Sequence, residues 1–302
     1  MIDDFANLLG IRRNLKLITY VKRPNSPTTY FVHCDLIDKE QNLFNSKKSH
    51  AEDQEIILRE EKNFYRALYE SNNINIETPE SNTFFENELI KPLSDENANI
   101  CEGKITKEEC KKALNEMGIG NSPGSDGLTS EFYKRFWDEI GYDVVQSIKN
   151  AFDKGELSIC QKRSIITLLP KKDKPTDFDN NLPPVTLLNV DYKIAAKVIA
   201  NRLARVLPDI ISPNQTGYVK NRYIGENVRL ISDVIDYTKA RQTQGVALFL
   251  DFKKAFDSIE WEYLHKVLDV FNFKQDFKRW VKVFYTDISS CVTNNGFASP
   301  FF

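Results

Sequence analysis

No CxxC pair and no Cys/His spacing of a zinc site occurs in the 302 residues, so zinc modules are excluded. The five cysteines, Cys34, Cys101, Cys110, Cys160 and Cys291, are odd in number and scattered, as expected of free thiols in a reducing compartment. No apolar run is long enough to span a membrane. The N-terminus, Met1-Ile2-Asp3-Asp4-Phe5, is acidic and lacks the basic and apolar stretches of a secretion signal. These absences lead us to expect a soluble intracellular protein, in nucleus or cytoplasm, with no membrane partner. A strong net charge is also missing: the formal value is −2.

That small sum hides a division. Residues 51–100 hold 12 acidic and 4 basic side chains, whereas residues 154–229 hold 13 basic and 7 acidic. The second stretch could follow a phosphate backbone with salt-dependent affinity, or be a basic solvated face. Apolar residues make up 41% and aromatics 12%, enough for the core of one large domain or two smaller ones.

Along the chain, Leu15–Val21 and Thr29–Leu36 read as strands with a Pro24–Pro27 break between them. Glu52–Tyr69 has helical spacing of Ile56, Ile57, Phe64 and Leu68. Residues 72–100 read as an irregular acidic linker with a short helical piece near Glu86–Ile90. Thr106 with Glu109 forms a capping-box pattern. Ser122-Pro-Gly-Ser-Asp-Gly-Leu128 is an irregular loop open to phosphates, because proline and two glycines interrupt regular structure. Ser164–Leu169 is a short apolar strand ending at Lys171-Lys172, and lysines there can reach phosphates as point charges. Tyr192–Leu207 reads as an amphipathic helix with Lys193, Lys197, Arg202 and Arg205 largely outside. Asn295-Gly296 suits a hairpin turn between two strands near the C-terminus.

The organising stretch is Gly245–Glu260. Val246–Leu250 is continuously apolar and meets Asp251. Such a run reads as a strand buried on both faces, with the carboxylate at its C-terminal end, where open α/β sheets bind ligands. Asp257 and Glu260 form a second capping-box pattern before helical spacing of Leu264, Val267, Leu268 and Phe271. On these grounds Asp251 is either a strand-end residue bonding local backbone or a ligand of a hard divalent cation acting with substrate phosphates. Phe256 is either a core aromatic or a ring packed against a bound sugar.

Leu248-Phe-Leu-Asp-Phe-Lys-Lys-Ala-Phe-Asp-Ser-Ile-Glu-Trp261 resembles motif A of the reverse transcriptases of non-LTR (LINE-type) retrotransposons. The resemblance extends over about residues 52–302. It implies that Asp251 and the Phe252 carbonyl bind the catalytic metals, Mg²⁺ in the family, and that Phe256 gates against the ribose 2′-OH. It assigns Lys171 to the incoming dNTP and Gln215, Gly217 and Arg222 to the template. It gives the loop 122–128 a part in holding that template. The partners it implies are an RNA template, a DNA primer and dNTPs; the oligomeric state is left open. This chain departs from the family at Asn121, where a Lys is usual, at Leu182 and Pro183, where a Trp and a phosphate-contacting Arg are usual, and at Asn221, where a Gly is usual.

The fold expected is therefore α/β and α-rich: right-hand polymerase fingers plus an incomplete palm. Residues 1–50 are unassigned, 51–100 are a helix and acidic linker, 101–245 are fingers-like, and 246–302 begin the palm with a strand, helix and hairpin. In-line transfer by two metals needs further carboxylates, and the family's downstream Asp-Asp pair does not occur in these residues. The expected function is a partial RNA-directed DNA polymerase, inactive by itself. The alternatives are a nucleic-acid-binding remnant without catalysis and a misassembled product.

Overall fold

The structure, a computed structural model, describes residues 19–21, 30–32, 54–71, 78, 85–86, 90–168, 184–217, 219–246, 248–250, 256–294 and 296–302. The architecture is mixed α/β, with helices in the majority. The chain divides into two compact units. One comprises residues 51–210 and 259–302, the other residues 2–50 and 211–258.

The first unit is built on a four-stranded sheet and the helices around it. In chain order its elements are α1 (Gln54–Tyr69), α2 (Asp95–Ile100), α3 (Lys107–Asn115), α4 (Ser130–Arg135) and α5 (Trp137–Lys154). Strands β3 (Arg163–Leu168) and β4 (Pro184–Leu188) follow, then α6 (Val190–Ile210). The unit resumes with α8 (Trp261–Val270), α9 (Gln275–Tyr285), β5 (Ser289–Asn294) and β6 (Phe297–Ala298).

The strand order is β4-β3-β5-β6. β3 pairs antiparallel with β4, in a register running from Ser164↔Leu188 to Leu168↔Pro184. It pairs parallel with β5, from Arg163↔Ser289 to Thr167↔Thr293. Hydroxyl pairs reinforce that parallel seam: Ser164 and Ser290 lie 2.7 Å apart, Thr167 and Thr293 3.0 Å. The C-terminal hairpin forms, with Asn294 opposite Phe297 and Gly296 at φ +82°; Asn295 lies outside the described residues. α1 covers β5 and β6. Tyr65, Ile166 and Val292 form the buried centre there, flanked by Phe64, Leu68, Leu168 and Phe302.

α6 is the core helix. Ile194, Ala195, Val198, Ile199, Leu203, Val206 and Leu207 are all buried, and α2, α3, α5 and α9 pack around it. Pro208 lies in its last turn. Thr106 caps α3 as its spacing requires: its side chain accepts from the Glu109 amide, and Glu109 Oε2 accepts from the Thr106 amide.

Three expectations about the first unit need correction. The acidic linker holds a helix at Asp95–Ile100, beyond the stretch where one was expected, because Ser94 caps α2 through the Asn97 amide and Leu93, Ala98 and Cys101 provide buried anchors. Arg202 does not face solvent: it is buried, and the fold uses its charge internally. The second capping box does not form. α8 starts at Trp261 with Glu260 as an N-cap lacking a side-chain cap bond, and residues 256–258 form a turn ahead of it. Glu260 instead accepts from Ser71 Oγ at 2.7 Å.

In the second unit, β1 (Thr19–Val21) and β2 (Tyr30–Val32) pair antiparallel, within the two stretches expected as strands, whose other residues lie outside the described ones. α7 (Gly225–Ala240) has no buried residue. The run expected as a buried strand, Val246–Leu250, has no regular structure at its described positions. Val246, Leu248 and Leu250 are 70%, 57% and 42% exposed. β-propensity expresses packing against neighbouring strands, and among the described residues no strand pairs with this run.

Candidate nucleic-acid interface

The loop 122–128 is held from beneath by one side chain. Asn189, between β4 and α6, is 1% exposed. Its Oδ1 accepts from the Asp126 amide and from Ser125 Oγ, both at 3.3 Å. Its Nδ2 donates to the Cys160 carbonyl at 3.0 Å. Gly124 is pressed onto the same residue: a Cβ there would lie 2.1 Å from Asn189 Oδ1 and 2.5 Å from its amide nitrogen. Asp126 then closes an Asx turn onto the Leu128 amide at 3.0 Å, and Gly127 takes φ +73°. Ser125, Asp126 and Gly127 form an exposed crest of small side chains. Such a crest suits contact with ribose hydroxyls, which can donate to its Asp126 carboxylate, better than contact with phosphate or reading of bases.

Charged groups lie under this loop. Asp191 accepts from Gln161 Nε2 at 2.8 Å. Burial pushes its carboxyl above the ordinary range, and the nearby Asp126 charge adds to that. Burial depresses the Lys193 ammonium, while the Asp126 charge draws it back up. The Tyr133 hydroxyl is raised by burial and by both carboxylates.

A second loop, residues 211–222, carries the residues assigned to template. Arg222 closes this loop on itself: its guanidinium donates to the carbonyls of Ile211, Ser212 and Gln215 at 3.0, 2.5 and 2.8 Å. The Gln215 amide turns back onto the Ser212 carbonyl. Asn221 sits at φ +65°. This left-handed position explains the residue type, since Asn and Gly enter that region most readily. Gly217 has no such reason. Its φ is not left-handed, and a Cβ there meets nothing within 4 Å among the described residues.

Phe256 is partly exposed in the turn before α8. Asp251, Phe252 and Lys171 lie outside the described residues, as do Leu182 and Pro183. The strands that flank Lys171 in sequence, β3 and β4, are well defined. Among the described residues no group of three or more His, Cys, Asp or Glu could hold a metal ion. No described helix is long and apolar enough to cross a membrane. Cys101, Cys110, Cys160 and Cys291 are free, with the buried Cys101 and Cys110 thiols pushed up to about 12 by desolvation.

Two structural residues escape sequence reasoning. Arg202 makes a bidentate pair with Glu109, both contacts 2.8 Å, and donates to the carbonyls of Cys101, Glu102, Gly103 and Lys104. Burial alone would raise Glu109, but the bonds from Arg202 and Thr106 hold its carboxyl below the ordinary range. Asn189 gives no signal in its own neighbourhood; the only hint is a Pro-Gly some 65 residues earlier.

The sequence from β3's end to the C-terminal hairpin, residues 169–301, matches the family model described as Reverse transcriptase (RNA-dependent DNA polymerase). The chain therefore carries a reverse transcriptase domain. It is 35% identical over 256 residues, 84% of its length, to the transposon TX1 uncharacterized 149 kDa protein of Xenopus laevis. It is 27% identical over 141 residues, 46% of its length, to the putative 115 kDa protein in type-1 retrotransposable element R1DM of Drosophila melanogaster. The matches cover 19% and 14% of those two proteins, so the chain spans a minor part of either. With these relatives, the domain belongs to the LINE-type, non-LTR reverse transcriptases. Divalent metal ions, nucleic-acid templates and nucleotides are the family's general requirements.

Proposed function

We propose that the chain supplies the fingers and the beginning of the palm of an RNA-directed DNA polymerase that extends a DNA primer on an RNA template with dNTPs and Mg²⁺. Asp251 and the Phe252 carbonyl would hold the metal, which neutralises charge developing on the transferred phosphates. Phe256 would exclude a ribose 2′-OH, Lys171 would meet the triphosphate, and Gln215, Gly217 and Arg222 would bear on the template. Residues 101–245 are read as fingers and residues 246–302 as palm. Arg222, given its bonds to three carbonyls of its own loop, would act by shaping that loop.

The observation that carries this reading is the family match across residues 169–301, which encloses Lys171, Asp251 and Phe256. The test is extension of a primed RNA template by the 302-residue chain with Mg²⁺, beside the Asp251→Asn variant. Extension lost in that variant supports the full assignment. Salt-sensitive template binding without extension restricts the chain to holding template. No binding even at low salt overturns the reading.

A further inference from the structure

We infer that Asn189 is a positioning residue for the template, acting through the loop 122–128; this rests on the function proposed above. One buried amide ties three segments together. Its oxygen holds the crest of the loop through the Asp126 amide and the Ser125 hydroxyl. Its nitrogen holds the Cys160 carbonyl, in the turn that leads into β3. Its backbone joins the end of β4 to the first residue of α6, and its carbonyl accepts from the Lys193 amide in the first turn of that helix.

The loop cannot sit elsewhere with the same bonds. Gly124 approaches Asn189 so closely that any Cβ collides with its side chain, its amide nitrogen and the Leu188 carbonyl carbon, the last at 2.6 Å. The backbone part of that contact has no flexible side chain to move aside. The exposed crest is thereby fixed relative to β3 and β4, whose connecting residues include Lys171. A crest of Ser125, Asp126 and Gly127 has no long side chain with which to search for a ligand. Its reach to the ribose hydroxyls of a template depends on where the backbone is held, and that is Asn189's contribution.

Three variants of the 302-residue chain test this: Asn189→Ala, Gly124→Ala and the double variant. Two measurements are made on each, the affinity for a primed RNA template and amide hydrogen exchange at Asp126 without RNA. The expected result is about tenfold weaker binding in each single variant, as for loss of one buried hydrogen-bonding partner. The double variant should bind no worse than either single one, because both break the same seating. Asp126 exchange should rise in Asn189→Ala while a cooperative melt persists. A merely structural role would lower the melting temperature and leave the affinity of the folded chain unchanged; that result overturns the inference. Unchanged Asp126 exchange in Asn189→Ala also overturns it. Failure of the wild-type chain to bind any template removes this role together with the function beneath it, and is distinct from a wild type that binds beside a variant that binds equally well.

Discussion

Helices α6 and α7 follow one another along the chain, and their sequences look alike: both mix apolar residues with charges at helical spacing. Their surroundings differ completely. α6 buries most of its length and sits among four other helices. α7 buries none of its residues, and Val228, Leu230, Ile231, Val234 and Tyr237 are all exposed. Helical periodicity thus specifies a local conformation and an apolar face. It does not specify what covers that face, because the cover comes from distant segments. In α6 the alanines Ala195, Ala196 and Ala200 are buried with the larger side chains, which allows close helix approach. α7 has no comparable run of small residues on an apolar face.

The sharpest way to break this comparison is to truncate matched leucines. Leu203→Ala in α6 removes a fully buried side chain and should cost ~3 kcal/mol, within the range for such cavities. Leu230→Ala in α7 should stay within about 0.5 kcal/mol. Urea unfolding of both variants checks the contrast, and equal losses would show that α7's face is covered in solution. Arg202→Ala belongs with the first of these. It removes the guanidinium from Glu109, which keeps only the Thr106 amide, and from four carbonyls, and about 3 kcal/mol or more should be lost. Arg202→Lys should rescue little, since an ammonium cannot supply the bidentate fork.

Arg202 also marks where sequence reading stops. The Thr106–Glu109 box, β3, α6 and the C-terminal hairpin were all legible, because each depends on residues near one another in sequence. Arg202 was assigned to solvent because charge at helical spacing usually means an outer face. Its partners lie about a hundred residues away, so no local pattern could reveal them. The strand expected at Val246–Leu250 failed for the related reason that a strand depends on a pairing partner as much as on its own composition. Of the candidate site, the family resemblance supplied residue roles, and backbone geometry explains one departure from it, the left-handed Asn221. The Asn189 seat became visible only once β4 and the loop 122–128 had been brought together.

A smaller effect separates buried carboxylates from paired ones. Glu61, on α1, is 1% exposed; its Oε1 accepts from Asn294 Nδ2 at 2.7 Å, and its Oε2 is buried without a hydrogen-bond partner among the described residues. Burial raises its carboxyl above the ordinary 4.5, and the Asn294 bond only partly offsets that. The neutral acid is therefore the form the fold prefers. Glu61's contribution to stability is full below pH 4.5, declines as pH rises through the raised value, and is absent above it. Glu61→Gln keeps an acceptor for Asn294 and cannot ionise. Its melting temperature should exceed that of the wild type near neutral pH, and the gap should close on acidification. A gap that stays constant from pH 4 to 7 would mean that Glu61 titrates in the fold as it does in the unfolded chain, and would overturn the raised carboxyl.

The smallest expected change in stability carries the most information about the second unit. Gly217 has no left-handed φ and no neighbour in the space a Cβ would fill among the described residues, whereas Gly124 has no room at all. Gly124→Ala must therefore disturb the fold itself. Gly217→Ala should leave the melting temperature unchanged or raise it slightly, because alanine reduces the freedom of the unfolded chain by about 0.4–1 kcal/mol. If residue 217 lies against a template backbone, the added methyl should still weaken binding of primed RNA. Stability and affinity would then move in opposite directions, which no purely structural glycine can produce. Equal affinity of Gly217→Ala and wild type across a salt titration would remove Gly217 from the template contact, leaving Gln215 and the Arg222-closed loop to carry it.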